Sequence, residues 1–291
     1  MRIVRRILLG IAAASLIFVG WLFAVWPPPI WYATHFPSET AFMRMRERVP
    51  IASLEPPYQP VPLDSISPLF LAAVIRGEDN RFRSHGGLDF VELRKALGYP
   101  RDEFSWTSGR DWGALLDALP GAWERRNRLR GASTISQQLA KNLYLSPSRN
   151  PLRKVKEAVT AYRLEWALGK DRLLELYANV VELGPGVWGV RDASEVYFDR
   201  APGRLTRNQA AALAATLPFP LSSNPDFHPR RMRTRQALIL RRMRGERVEV
   251  PRETEELPKP PDIGETADQP TTPVVVPVQP LPMESLPPPE P

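Results

Sequence analysis

The chain has 291 residues, 39 of them Lys or Arg against 32 Asp or Glu, for a formal net charge of +7. It has no cysteine, which excludes disulfide frameworks and thiolate metal sites, and its three histidines (His35, His85, His228) make a poor zinc ligand set. The length allows one sizeable domain with appendages, and the basic balance favours an anionic partner; nucleic acid, acidic lipid and pyrophosphate all satisfy it.

Residues 1–6 hold Arg2, Arg5 and Arg6, and residues 7–26 are uncharged and mostly apolar. Twenty helical residues span ~30 Å, the thickness of a bilayer core, so 7–26 is expected to be a transmembrane anchor. The flanking arginines predict a cytoplasmic N-terminus and an exported remainder, and Trp21, Trp26, Trp31 and Tyr32 fall where amphipathic rings favour the outer interface. A cleaved signal peptide would have a shorter apolar run and a small-residue cleavage site, which the residues after Ala24 do not supply. Residues 27–62 are proline-rich and read as a spacer lifting a domain off the membrane.

The domain is expected over 63–248. Ser67-Pro68 opens a helix whose apolar residues from Leu69 to Ile75 give it a core-facing side. It delivers Glu78 and Asp79 at its C-terminal end, where the helix dipole disfavours negative charge. Asp89 to Glu92 matches a capping box for a short helix to about Leu97. Residues 98–130 then mix Phe104, Trp106, Trp112 and Trp123 with Arg125, Arg126, Arg128 and Arg130. That mixture suits nucleic acid, a lipid surface or a glycan, and equally a loop with its own small core; one reading is an interfacial flap.

Ser133 reads as the N-cap of a helix whose Ile135, Leu139 and Leu143 share one face, with Gln137, Gln138 and Lys141 on others. Two amides and an ammonium near a helix N-terminus suit an anionic, oxygen-rich ligand, although an ordinary amphipathic helix has the same pattern. Asn150-Pro151 starts another helix carrying Leu152, Val155, Val159 and Tyr162 at helical spacing, with Arg153 and Glu157 four apart. A further helix follows Asp171; Gly184, Gly186 and Gly189 then mark a turn or a close backbone approach. Thr206 to Gln209 is a capping box for an alanine-rich helix ended by Pro218, and a last helix covers about Arg230 to Arg244. No sustained period-2 run occurs, so the domain is mainly α. From Pro251 onward thirteen residues are proline and none is aromatic, so 249–291 is expected to be a disordered tail.

Three ordered blocks carry a resemblance. Glu78-Asp79-Asn80-Arg81-Phe82-Arg83-Ser84-His85-Gly86-Gly87 is similar to E-D-x-x-F-x-x-H-x-G. Gly131-Ala132-Ser133-Thr134-Ile135-Ser136-Gln137-Gln138 through Lys141-Asn142 is similar to G-[GA]-S-T-I-[TS]-Q-Q-x-x-K-N. Arg153-Lys154-Val155-Lys156-Glu157 is similar to R-K-x-x-E. The chain thus resembles the family 51 glycosyltransferases, the peptidoglycan polymerases, over roughly residues 68–225. It has no Ser-x-x-Lys transpeptidase motif, so it resembles the monofunctional members.

The resemblance implies a lysozyme-like fold behind the transmembrane helix and polymerisation of lipid II into β-1,4 glycan strands with release of undecaprenyl pyrophosphate. It implies Glu78 as the base for the acceptor 4-hydroxyl, with Asp79 tuning it, and Glu157 as the second catalytic carboxylate. Lys141, Arg149 and Lys156 become candidate pyrophosphate cations. Arg153 joins them as a substrate contact, Gln137 and Gln138 would bond sugar or phosphate oxygens, Ser133 and Thr134 would shape the donor side, and His85 would be structural. No metal ligand set or cofactor is required, although a divalent cation (Mg or Mn) is compatible with the chemistry. The partners implied are lipid II, the growing lipid-linked glycan and the membrane, with cell-wall synthesis proteins docking on the tail and no nucleic acid. The location implied is the bacterial inner membrane, single-pass, with the domain on the periplasmic side. Residues 98–130 are longer than the family pattern suggests. Two rival readings are a glycan-cleaving lytic transglycosylase or lysozyme, which would not need the cations, and a non-catalytic tethered adaptor, which would not need the glutamates.

Overall fold

The computed structural model describes residues 2–46, 58–101, 103–124, 133–145 and 151–250, all in one compact unit, Met1–Pro258. The proline-rich tail, Arg149, the Asn150 cap and the arginines from Arg125 to Arg130 lie outside the described residues.

The first helix, α1, runs over Arg2–Phe23 and is long and apolar enough to cross a membrane. It starts earlier than the expected 7–26 because arginine is a good helix former, and it stops earlier because Trp26 precedes three prolines. The stretch after it is no free spacer where it is described. Tyr32 is buried in the core, and the short helix α2 (Ala41–Arg46) buries Phe42, Met43 and Arg46. Buried Arg46 donates from Nε and Nη2 to Glu182 Oε2 at 3.0 and 2.7 Å. Farther on, Asn179 brackets Val61, accepting from its N–H at 2.8 Å and donating to its carbonyl at 2.9 Å.

The helix α3 (Pro68–Glu78) opens with proline as expected. Asp89 caps α4 (Phe90–Leu97) by accepting from the Val91 and Glu92 amides at 3.0 and 3.1 Å. The following segment folds back as α5 (Gly109–Glu124), and its described part has its own aromatic core. Phe104 makes edge contacts with Tyr99, Trp106 and Trp112, while Asp111 accepts from the Tyr99 hydroxyl, Arg101 and the Ser105 amide. Trp106 and Trp112 stay partly exposed on this lobe.

Next come α6 (Ile135–Tyr144) and α7 (Pro151–Val180), which pack along one another. Gly169, at φ +73°, breaks α7 just ahead of the expected second helix. A two-stranded antiparallel hairpin follows, β1 (Glu182–Gly184) with β2 (Val187–Trp188), at the place where glycines marked a turn. Gly189, at φ +75°, is a close approach: a Cβ there would lie 2.3 Å from the Asn179 carbonyl oxygen. The remaining helices are α8 (Gly189–Phe198), α9 (Arg207–Thr216) and α10 (Arg230–Met243).

The protein is mainly helical. Its core centres on α9, where residues 210–215 are all buried and, Leu213 apart, are alanines small enough for α3 and α10 to close on it. At the α3–α10 contact a Cβ on Gly77 would meet the Ile239 side chain at 3.0 Å. That contact brings the C-terminal end of α3 beside α10.

The Arg46–Glu182 pair yields a stability expectation. Arg46→Ala removes the guanidinium that holds Glu182 Oε2 in the core and should cost about 3–5 kcal/mol, as read from urea midpoints. In the Arg46→Met, Glu182→Met double variant the pair is replaced as a unit, and part of that loss should return.

Candidate active site

Glu78 ends α3, and both of its carboxylate oxygens are held. Arg235 Nη2 donates to Oε1 at 2.9 Å and to the Gly77 carbonyl at 2.9 Å. Gln138 Nε2 donates to Oε2 at 3.0 Å, and Gln138 Oε1 in turn accepts from the Tyr177 hydroxyl at 2.7 Å. Four helices, α3, α6, α7 and α10, therefore fix one carboxylate. Its side chain keeps 11% exposure while that of Arg235 keeps 4%, so the acid reaches solvent from a buried mount.

Asp79 has partners of its own. Its carboxylate is buried and turned toward α6, where Oδ2 accepts from the Ile135 amide at 3.0 Å and both oxygens lie 3.0 Å from His85 Nε2. An anion at a helix N-terminus satisfies an orphan amide and the helix dipole together. His85 is structural in this arrangement, stacked edge-on to Phe82.

Thr134, and not Ser133, caps α6. Its hydroxyl accepts from the Gln137 amide at 3.2 Å and donates to the Gly87 carbonyl at 2.6 Å. Gln137 Oε1 returns a bond to the Thr134 amide at 3.1 Å, closing a capping box. Buried Gln137 thus commits its Oε1 to the helix end, and Gln138 is the amide at the acid. Ser133 Oγ accepts instead from Lys154 Nζ at 2.7 Å.

Lys154 belongs to a second polar cluster. Glu157 is buried between Arg153, whose Nη1 donates to Oε2 at 2.8 Å, and the Lys154 ammonium on Oε1. The Lys154 side chain is 48% exposed, and its ammonium is seated between Glu157 and Ser133. The expected cations distribute differently. Lys141 is buried with Nζ 5.3 Å from the Phe42 ring centroid, and Lys156 Nζ lies 4.7 Å over the Trp21 ring of α1. Burial holds the Lys156 ammonium below the ordinary lysine range.

Sequence reasoning missed Lys154, Arg235 and Tyr177. Arg235 had a signal: it shares one α10 face with Met232 and Ile239, a charge set in an apolar stripe. Lys154 had only its three-residue spacing to Glu157, and the Tyr177 hydroxyl gave none because the ring reads as core.

Asp79, His85 and Asp89 place ligand atoms within 4.8 Å of one another. Asp79 and His85 already bond each other, while Asp89 caps α4 and pairs with Arg81 at 3.1 Å. Both Glu157 oxygens likewise carry cations. These groups do not fit a divalent ion in this arrangement.

The family model described as Transglycosylase matches residues 101–244. The match begins inside the 98–130 segment, so α5 falls within it, whereas Glu78 and Asp79 lie ahead of it. A "Biosynthetic peptidoglycan transglycosylase" of Bordetella pertussis is 38% identical over 260 residues, covering 86% of this chain and 95% of the relative. A span of that length cannot leave out Glu78. Proteins of the same description from Azoarcus sp. (38% over 230 residues, 77% of this chain and 88% of the relative) and Citrobacter koseri (41% over 182 residues, 62% and 66%) are also similar.

The joint at Asp79 yields the second expectation. Asp79→Ala strands the His85 and Ile135 donors and should cost ~1–3 kcal/mol for each, seen as a lower unfolding midpoint. Asp79→Asn keeps one acceptor and should fall between that variant and the parent.

Proposed function

The chain belongs to the biosynthetic peptidoglycan transglycosylases and is a peptidoglycan glycosyltransferase; on that premise we propose that it polymerises lipid II, with Glu78 as the base. The observation that supports this most is the double hold on Glu78. A carboxylate has about four lone-pair sites, so two bonds that fix its orientation leave sites for an incoming hydroxyl. Glu78 takes the proton of the acceptor 4-hydroxyl while that oxygen attacks C1 of the growing strand. The C1–O bond to pyrophosphate breaks with inversion, and the pyrophosphate leaves with the electron pair.

Arg235 and Gln138 are positioning residues for this step, and Tyr177 orients Gln138. The departing charge is met by Lys154 and Arg153, with Glu157 holding both cations in place. Lys141, Lys156 and Arg149 remain proposals for the same role; Lys156 would need to leave Trp21 to take it. No step is routed through a divalent ion, since Asp79, Asp89 and Glu157 are each held by protein donors. α1 anchors the chain in the bacterial inner membrane, with Arg2, Arg5 and Arg6 on the cytoplasmic side and the domain in the periplasm. The proline-rich tail is the proposed docking arm for cell-wall synthesis proteins.

Labelled lipid II distinguishes this function from its rivals: the full chain should lengthen glycan, whereas a lytic enzyme shortens it and an adaptor does neither. Glu78→Gln keeps the shape but not the base, and polymerisation should fall by ~10²-fold or more while the fold survives the loss of the Arg235 counter-charge. Near-parental turnover would remove Glu78 from the role. Lys154→Ala should lower kcat more than it raises KM, since the leaving charge is greatest in the transition state.

A further inference from the structure

The lobe formed by α4 and α5 carries an aromatic face that its own packing does not close. Phe90, Trp106 and Trp112 are 45%, 58% and 41% exposed. They make one patch, with the Trp106 ring centroid 5.6 Å from that of Phe90 and 5.7 Å from that of Trp112. Phe104 supports both tryptophans, at 5.1 and 5.5 Å. Each of these pairs meets edge to face and none is stacked, so the contacts fix the directions of the rings while the indole of Trp106 stays open. Trp112 Nε1 donates to the Trp106 carbonyl at 2.9 Å, which ties the loop to α5 through a bond that no substitution of the Trp106 side chain removes.

Charge and position identify the occupant. An acidic lipid surface or a nucleic acid would call for free cations around the rings. Arg94 instead lies over Phe104 at 5.0 Å, Lys95 pairs with Glu92 at 3.4 Å and Arg101 with Asp111 at 2.5 Å. Residues 90–124 hold six acids against four bases, in a chain whose net charge is +7. The lobe also joins the domain at the Glu78 site. Gly87, whose carbonyl takes the Thr134 hydroxyl at 2.6 Å, comes two residues before the Asp89 cap of α4. A Cβ on Gly87 would stand 3.1 Å from the Tyr162 backbone, so this root is closely seated. Thr134 is followed one turn later by Gln138 at Glu78, and preceded by Ser133 at Lys154. The lobe thus leaves the domain on the side where the proposed leaving-group cations stand. An uncharged polymer emerging there meets open indole faces.

We propose that the Phe90, Trp106 and Trp112 face is a docking platform for the glycan product, stacking uncharged N-acetylhexosamine rings of the strand outside the cleft. The pyranose ring of a β-linked hexosamine presents C–H bonds on its faces, and their partial positive charge matches the negative face of an indole. The proposal rests on the polymerase reading and extends it from one bond to many. A strand held on the lobe between additions stays at high local concentration beside Glu78, so it is extended again before it is lost. The platform therefore sets product length, while the chemistry of each step stays with Glu78 and its partners.

The test titrates the full chain in detergent with chitohexaose, a neutral β-1,4 N-acetylglucosamine oligomer that has no lipid, peptide or pyrophosphate. Trp106→Ala should weaken binding by about 5-fold or more, and Trp106→Leu by as much, because leucine keeps apolar bulk without a ring face. Trp106→Phe keeps a face and should stay near the parent. With labelled lipid II, Trp106→Ala and Trp106→Leu should consume substrate at the parental rate yet give shorter strands, and Trp106→Phe should restore their length. Parental binding and strand length in Trp106→Leu overturn the proposal, since bulk alone then suffices and the patch is a lipid or protein contact. A parent chain that polymerises lipid II but does not bind chitohexaose overturns the platform and leaves the polymerase reading intact. Binding that depends on Trp106, in a chain that lengthens no glycan, supports the platform and removes the polymerase reading.

Discussion

Asp79 is a buried carboxylate shared between an imidazole and a helix N-terminus, and the site is assembled around that joint. Its bond to the Ile135 amide sets where α6 begins relative to the end of α3. Thr134 reinforces the same point by capping α6 while donating to the Gly87 carbonyl. One turn farther along α6, Gln138 then meets Glu78. Glu78 and Asp79 are chain neighbours with different partners: the carboxylate of the proposed base is held by Arg235 and Gln138, and the other fixes the frame that holds it. An acid of either kind at the C-terminal end of α3 works against the helix dipole, and here two sets of donors offset that cost.

The second cluster follows the same logic from α7. Arg153 and Lys154 straddle Glu157, and Lys154 also reaches back to Ser133 ahead of α6. The carboxylate is enclosed and the ammonium half-exposed, so positive charge is presented outward without conformational search. Long side chains lose several rotamers when ordered, and a seat that orders them beforehand removes that loss from the reaction.

Most of the helices were legible because their signals are local. Pro68 starts its helix through its fixed φ, Asp89 and Thr206 start theirs through bonds to amides within one turn, and the structure puts helix starts at all three. Ser133 and Thr134 are adjacent and both residue types suit the cap position; the reciprocal bonds with Gln137 and the bond to Gly87 select Thr134. The motif blocks pointed to Glu78, Gln138, Arg153 and Glu157, yet not to what each touches. Arg235 approaches from a helix that is remote in sequence, and the Arg46–Glu182 pair spans most of the domain. Contacts of that range are made by the fold. The proline count suggested a loose spacer, whereas Tyr32, Phe42 and Met43 are ordinary core residues carried on an irregular path.

That path changes what the anchor is for. Arg172 donates to the Tyr32 and His35 carbonyls at 2.7 and 2.8 Å, Arg163 to that of Phe23, and α2 is pinned through Arg46. From the end of α1 to α2 the chain is bolted to the domain at successive points, so it behaves as a bracket and not as a leash. A leash would let the catalytic groups sample a range of heights, and its length would set their local concentration. A bracket sets one height and one attitude. On the proposal that α1 spans a bilayer, its tilt becomes the tilt of the domain, and membrane thickness, which governs how far a helix leans, becomes a variable to which the Glu78 site is mechanically geared.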